Sequence, residues 1–192
     1  VARAIWAVDQ ARERDFESLD AIGLDDNLNE VLRSNSADAY VHSLLARMNR
    51  LRADRMAATA TPANRKSIDE TWEKVAGSAT KALQLEKLPV SSREGALEAL
   101  GNQQMHDDDY AAAARSFTEL TQIRRSAVDC YILGLCFGKL QRFSEAERAF
   151  REAIRLDGTY AAPYRSLSIL YRSFNPAAAQ QFAAIAARLV QQ

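Results

Sequence analysis

A recurrence at a spacing of about 33 residues constrains this chain more than any other feature. Leu100-Gly101 returns as Leu133-Gly134, and Leu167 follows Leu133 by 34 residues. From Leu100, steps of 13, four and three residues reach Ala113, Phe117 and Leu120, and from Leu133 the same steps reach Ala146, Phe150 and Ala153. From Leu167 the series reads Ala178, Phe182 and Ile185, its first step two residues short. Within one period, Leu133 and Phe137 share a face one turn apart, and Ala146, Phe150, Ala153 and Ile154 recur at helical spacing. Two short amphipathic helices joined by a turn follow. Gly134 and Ala146 are small where the pair would cross, so the backbones can approach closely. A hairpin this small cannot bury its apolar face alone and must stack on neighbours.

The pattern resembles the tetratricopeptide repeat (TPR), a helix-turn-helix unit of about 34 residues. The resemblance is clear over residues 94–192 and degenerate over 1–93. It implies an all-α fold, an α-solenoid of antiparallel helix hairpins wound as a right-handed superhelix of about ten helices. On that reading residues 1–192 form a single solenoid, with clear units at 94–126, 127–160 and 161–192.

Composition agrees with that class. Seven glycines and four prolines in 192 residues, amid much alanine, leucine, arginine and glutamate, favour helix over strand. Lys plus Arg and Asp plus Glu balance at 25 each, which argues against duplex DNA or an anionic membrane as a bulk electrostatic partner. No apolar run approaches the roughly 20 residues of a bilayer span. The chain opens Val-Ala-Arg with no charged-then-apolar signal pattern, so it reads as a mature form or an excised domain. Cys130 and Cys136 would point apart on one helix, about 9 Å apart along its axis, which disfavours a disulfide. They read as small core or groove residues, and the expected compartment is reducing, that is, cytoplasmic.

Taken in order, residues 2–13 read as a helix with Ile5 and Trp6 on its apolar side. Gly23 and Asp25-Asp26-Asn27 interrupt or bend the next before Leu28 to Arg33. Ser36 is the expected cap of a helix from Ala37 to about Ala60 carrying Tyr40, Leu44, Leu45, Met48 and Leu51. Thr61-Pro62-Ala63-Asn64 breaks it. Ser67–Glu70 and Ser91–Glu94 have capping-box spacing. The first would open a helix to about Leu85 with Trp72, Val75, Ala79 and Leu83. The second would open the series 92–106, 109–123, 127–140, 143–156, 160–173 and 176–190, with Asn175 and Pro176 as N-cap and first-turn proline of the last.

Chemistry-bearing constellations are sparse. His42 and His106 fall in separate repeats, without further ligands in partnered spacing, so neither zinc nor catalysis is expected. Asp107-Asp108-Asp109 lacks the alternation of a calcium loop and sits where carboxylates complement a helix dipole. Ser78-Ala-Thr-Lys81 matches the serine-x-x-lysine pattern of penicillin-recognising enzymes without its companion motifs. No phosphate-cradling glycine loop or dinucleotide fingerprint appears. The chain therefore reads as a non-enzyme with no cofactor. Arg47, Arg50, Arg52 and Arg55, with Arg65 and Lys66, spread over more than one helix face. A solvated surface is the default reading, and an RNA or acidic partner the sharper one.

In TPR proteins the first helices of successive repeats line a concave groove that holds ligand peptides. By repeat phase, the resemblance implies a groove of Glu98, Asn102 and Met105, then Val128, Tyr131, Leu135 and Lys139, then Arg165, Ile169 and Arg172. Tyr131, Leu135 and Ile169 would be apolar anchors and Lys139 and Arg165 orienting charges for an extended peptide or a helix. TPR domains that grip the acidic tails of heat-shock chaperones carry a lysine/asparagine/arginine clamp. This chain keeps Asn102, but has Glu98, Ile132, Ala162 and Ser166 at the other clamp positions, which disfavours that partner. The expected function is a protein–protein interaction module, part of a larger protein or complex. The alternatives are homo-oligomerisation through the last helix, with Phe182, Ile185, Leu189 and Val190, and RNA binding by the arginine cluster.

Overall fold

The computed structural model describes residues 24–35, 37–85 and 88–191. The expected helix over 2–13 with Ile5 and Trp6, the interruption at Gly23, and the cap at Ser36 lie outside them. Among the described residues there are nine helices and no strand. They are α1 (Leu24–Ser34), α2 (Ala39–Ala58), α3 (Arg65–Gln84), α4 (Val90–His106), α5 (Tyr110–Ile123), α6 (Ala127–Lys139), α7 (Phe143–Leu156), α8 (Ala161–Tyr171) and α9 (Pro176–Val190). None of them is long and apolar enough to cross a membrane. The chain divides into two compact units, Val1–Asp107 and Asp108–Gln192.

In the first unit, α2 and α3 form the long hairpin, and α4 packs on both. One cluster joins Leu28 of α1 to Val41, Leu44, Leu45 and Met48 of α2. The other sets Ala46 and Ala53 against Ile68, Trp72, Val75 and Ala79 of α3 and Ala99 of α4. Alanines at the contact points let the helices approach closely enough to exclude water. Polar ties hold α4 in register. The Trp72 and His106 rings stack with centroids 5.2 Å apart, and His106 Nε2 lies 3.1 Å from Asp69 Oδ1. Arg50 pairs with Asp54 at 2.6 Å on its own helix and with Glu98 at 3.6 Å on α4.

Four helix starts differ by two residues or more from the sequence reading. α1 already runs from Leu24, so Asp25-Asp26-Asn27 lie inside the helix instead of interrupting it before Leu28. α2 begins at Ala39, capped by Asp38, whose Oδ1 accepts from Val41 N at 3.0 Å. α3 begins at Arg65, two residues before Ser67, so the Ser67–Glu70 box lies inside the helix. Asn64 spends its side chain on the preceding loop instead: its Oδ1 accepts from Thr61 N at 2.7 Å, and its Nδ2 donates to Thr59 O at 3.2 Å. α4 begins at Val90 after Pro89, whose extended backbone (ψ 148°) sets the entry, so Ser91 and Ser92 are already helical.

In the second unit the period becomes visible as geometry. Asp108 and Gln141, 33 residues apart, precede α5 and α7, and both adopt the left-handed backbone at φ 59°. Asp109 caps α5 through Ala112 N (2.9 Å), and Ser126 caps α6 through Asp129 N (3.3 Å). Asn175 caps α9 through Ala178 N (3.1 Å), with Pro176 as its first residue, as the sequence indicates. The core gathers Ala146, Phe150 and Leu167, flanked by Tyr131, Leu135, Phe137, Ile154, Leu170, Tyr171 and Phe182. Gly134 is where α6 meets α7: a β-carbon built there would lie 2.5 Å from Phe150 Cε1. In α9 the buried small residues are Ala179 and Ala186, seven apart like Ala146 and Ala153, one position beyond the expected Ala178 and Ile185.

Candidate functional site

An open groove of about 470 Å³ lies in the second unit, formed by α6, the start of α7, and α8 with the turn that follows it. Its floor is Leu135, Ala146, Phe150 and Leu170; its rim carries Phe143, Ile169 and Phe174. These three apolar side chains are 54%, 65% and 63% exposed. Scattered exposed apolar residues are ordinary, but three converging on one concave surface form a binding-type patch. Gly138 also lines the groove, and a β-carbon there would meet nothing within 4 Å, so the space stays open at that point.

The groove walls are fixed by polar ties on the unit's own elements. Between α7 and α8, Tyr171 Oη donates to Glu147 Oε1 at 2.5 Å, Arg151 Nε donates to the same oxygen at 2.8 Å, and Arg151 Nη2 donates to Tyr171 Oη at 3.0 Å. The tyrosine hydroxyl first, then the guanidinium, hold the Glu147 carboxyl below its ordinary value. Tyr171 also meets Phe174 (4.8 Å between centroids) and Phe182 (5.6 Å), which steadies the turn presenting Phe174. Before α6, Arg124 makes a bidentate pair with buried Asp129, at 2.7 and 2.9 Å.

Of the residues expected in a groove, Leu135, Lys139 and Ile169 come together here. Lys139 is exposed, its ammonium 5.4 Å from the centre of the Tyr110 ring, an attraction that keeps the charge at the rim. The hydroxyl of that ring donates to Asp108 at 2.6 Å, and this hydrogen bond raises the Tyr110 pKa. Tyr131 does not line the groove. It is half-buried against Phe150 (5.8 Å) and meets Tyr160 edge-on (5.3 Å), so it serves the packing of its own unit. Val128 is exposed in the first turn of α6; Arg165 is exposed on α8, and Arg172 follows that helix as its C-cap. Glu98, Asn102 and Met105 belong to the first unit, each half-buried. There Glu98 faces Arg50, and Asn102 Nδ2 donates to Glu98 O at 2.8 Å.

Sequence reasoning missed Phe143 and Phe174 as surface groups. Phe143 fits the apolar pattern of its helix, but as the first residue of α7 it lies beyond the partner that would cover it. Phe174 had a usable signal, an aromatic side chain within the polar turn Ser173 to Asn175. Among the described residues no group of three His, Cys, Asp or Glu could hold a metal ion. Cys130 and Cys136 are both buried free thiols.

No protein-family model matches the chain, and no curated protein matches it. Solved structures do. A crystal structure of MamA superposes with a TM-score of 0.73 at 15% identity, covering 93% of each chain. MamA 41-end from Desulfovibrio magneticus RS-1 gives 0.69 at 15% identity, over 98% of this chain and 96% of that one. BtubC (BKLC) from P. vanneervenii gives 0.62 at 21% identity, over 93% of this chain and 73% of that one. At these identities the likeness concerns the fold, and the fold is an all-α, TPR-like solenoid of antiparallel helix hairpins.

Proposed function

We propose that the chain is a non-catalytic protein–protein interaction module that captures an apolar segment of a partner, as an extended peptide or a helix, in the groove of its second unit. The observation that carries this is the convergence of exposed Phe143, Ile169 and Phe174 on one concave surface with a lysine at its rim. Apolar anchors in a groove with a few orienting charges are how helical surfaces hold peptides. Leu135 and Ile169 act as the anchors, joined by Phe143 and Phe174, and Lys139 selects for a nearby acidic group on the partner.

The reading is tested with a displayed random-peptide library. Peptides selected on the wild-type chain should carry aliphatic or aromatic residues. They should lose about tenfold or more in affinity for an Ile169→Asp, Phe174→Asp variant, whose helicity is unchanged because both sites are exposed and whose melting temperature falls only by what the Phe174–Tyr171 ring contact contributes. Peptides that bind the variant equally well would place the binding surface elsewhere.

A second reading, self-association, is favoured by α9. Ala183, Ala187 and Val190 form one exposed stripe on it, at spacings of four and three residues. Light scattering coupled to size exclusion across a concentration series decides this reading. A concentration-dependent mass that Ala187→Glu abolishes would support it, and a constant monomer mass would remove it.

A further inference from the structure

The first unit holds a second concavity, of different chemistry. Between α1, α2 and α3 lies a cleft of about 420 Å³ lined by Asn29 and Leu32, by His42, Leu45, Asn49 and Arg52, and by Lys74, Gly77, Ser78 and Lys81. The pattern is set by helix periodicity. Positions 42, 45, 49 and 52 fall on one face of α2, and 74, 77, 78 and 81 on one face of α3. Three cations line the cleft and, among the described residues, no carboxylate does, in a chain whose charges balance overall. Lys74 and Lys81 have no ion-pair partner among the described residues, whereas Lys66 on the same helix lies 3.7 Å from Glu70. Arg52 is held in place by Asn49, whose Oδ1 accepts from Nη1 at 3.3 Å. Asn49 and His42 are buried polar groups bordering the same space. At Gly77 an added β-carbon would meet nothing within 4 Å, so the α3 wall is open between the two lysines.

We propose that this cleft binds a small ligand bearing a phosphate monoester. A dianionic phosphate with three acceptor oxygens matches converging lysine, arginine and hydroxyl donors better than a monocarboxylate, which would neutralise only one of the two lysines. The volume is in the range of small-ligand sites. The one ring on the described lining, His42, is only 5% exposed, so a nucleobase would find little to stack on, and the class is a phosphorylated polyol or sugar rather than a nucleotide. Lys74, Lys81 and Arg52 bind the phosphate, Ser78 donates to one of its oxygens, and Asn29 and Asn49 face the hydroxyls of the carrier. Ser78 and Lys81, which match an acyl-enzyme motif in the sequence, thus act together as anion ligands. This site is independent of the groove in the second unit.

The test uses glycerol 3-phosphate at constant ionic strength set with chloride. Phosphorus NMR line broadening and the melting temperature are recorded against its concentration. The wild-type chain should broaden the line and melt higher as ligand is added. Lys74→Gln with Lys81→Gln should weaken binding about tenfold or more. Gly77→Leu keeps every charge but fills the open wall; it should abolish binding while melting no lower than wild type, because leucine is the better helix former. Vesicles of phosphatidylcholine with and without phosphatidic acid separate the sources. Binding of the free compound alone points to a soluble phosphate, and added capture by phosphatidic acid points to a lipid headgroup. No broadening and no thermal shift with wild type, or the same titration for all three proteins, overturns the proposal. So does capture of single-stranded RNA without any glycerol 3-phosphate binding, which would make the face a nucleic-acid surface.

Discussion

Gly134→Ala adds one methyl group at the crossing of α6 and α7. Its β-carbon would lie 2.5, 2.6 and 3.1 Å from Cε1, Cδ1 and Cζ of Phe150. Carbon atoms rest at about 3.5–4.0 Å, so the ring must retreat by about 1 Å. Little room exists for that, because Phe150 is buried among Ala146, Leu167 and the Tyr131 ring. Overpacking of this kind costs about 1–3 kcal/mol, while exchanging a helical glycine for alanine returns about 1 kcal/mol. The expected net is a loss of up to about 2 kcal/mol, read from urea denaturation followed by circular dichroism. Gly138→Ala, on the same helix and with open space at its β-carbon, should instead gain up to about 1 kcal/mol. Shrinking the ring as Gly134→Ala with Phe150→Leu should recover part of the loss beyond additivity. If Gly134→Ala stabilises the chain as Gly138→Ala does, the close crossing of α6 and α7 is wrong, and with it the register of the repeat.

Two further outcomes follow from buried groups in the same unit. Asp129→Ala removes the partner of Arg124 and a carboxylate from the first turn of α6; it should cost about 2–3 kcal/mol, below the full penalty for a buried pair because Arg124 can turn to solvent. Burial pushes the Cys136 thiol from 9.0 up to about 11, so the folded state favours its neutral form. The resulting stability is intact below about pH 9 and is lost as pH rises towards 11, where the unfolded chain ionises first. Under reducing conditions Cys136→Ala should flatten the fall in urea midpoint between pH 8 and pH 10, and equal slopes for the two proteins would refute the assignment.

Much of the helical framework was legible because its cause is local. The 33-residue spacing of half-buried Leu100 and buried Leu133, with buried Ala146, Phe150 and Ala153 in phase, marks core-facing positions that need no knowledge of the neighbours. Asn175-Pro176 was equally readable, since cap and first-turn proline act within one turn. The capping boxes failed where another interaction won: the loop hydrogen bonds of Asn64 in one case and the backbone of Pro89 in the other. In α9 a run of alanines offers no contrast between neighbouring positions, so Ala179 and Ala178 could not be told apart. Less of the concavity was readable: three of the ten residues expected by repeat phase line it. Leu135, Lys139 and Ile169 follow from repeat phase, whereas Tyr131 is drawn inward by Phe150 and Tyr160, contacts made across helices. Phe143 and Phe174 sit at helix ends, where the pattern that marks a core residue no longer guarantees a neighbour to cover it.

The groove straddles the junction between the α6–α7 hairpin and α8. Leu167 packing on Phe150 and the hydrogen bonds shared by Arg151, Glu147 and Tyr171 join the two sides. An occupant resting on Leu135 and Phe143 on one side and on Ile169 and Phe174 on the other becomes a third tie across that seam. Because stacked hairpins unfold in proportion to how well each holds its neighbour, such an occupant would slow local opening of α8 more than that of α5, which it does not touch. Amide exchange in α8 would then report occupancy, and capture of a partner and consolidation of the repeat stack would be one thermodynamic event.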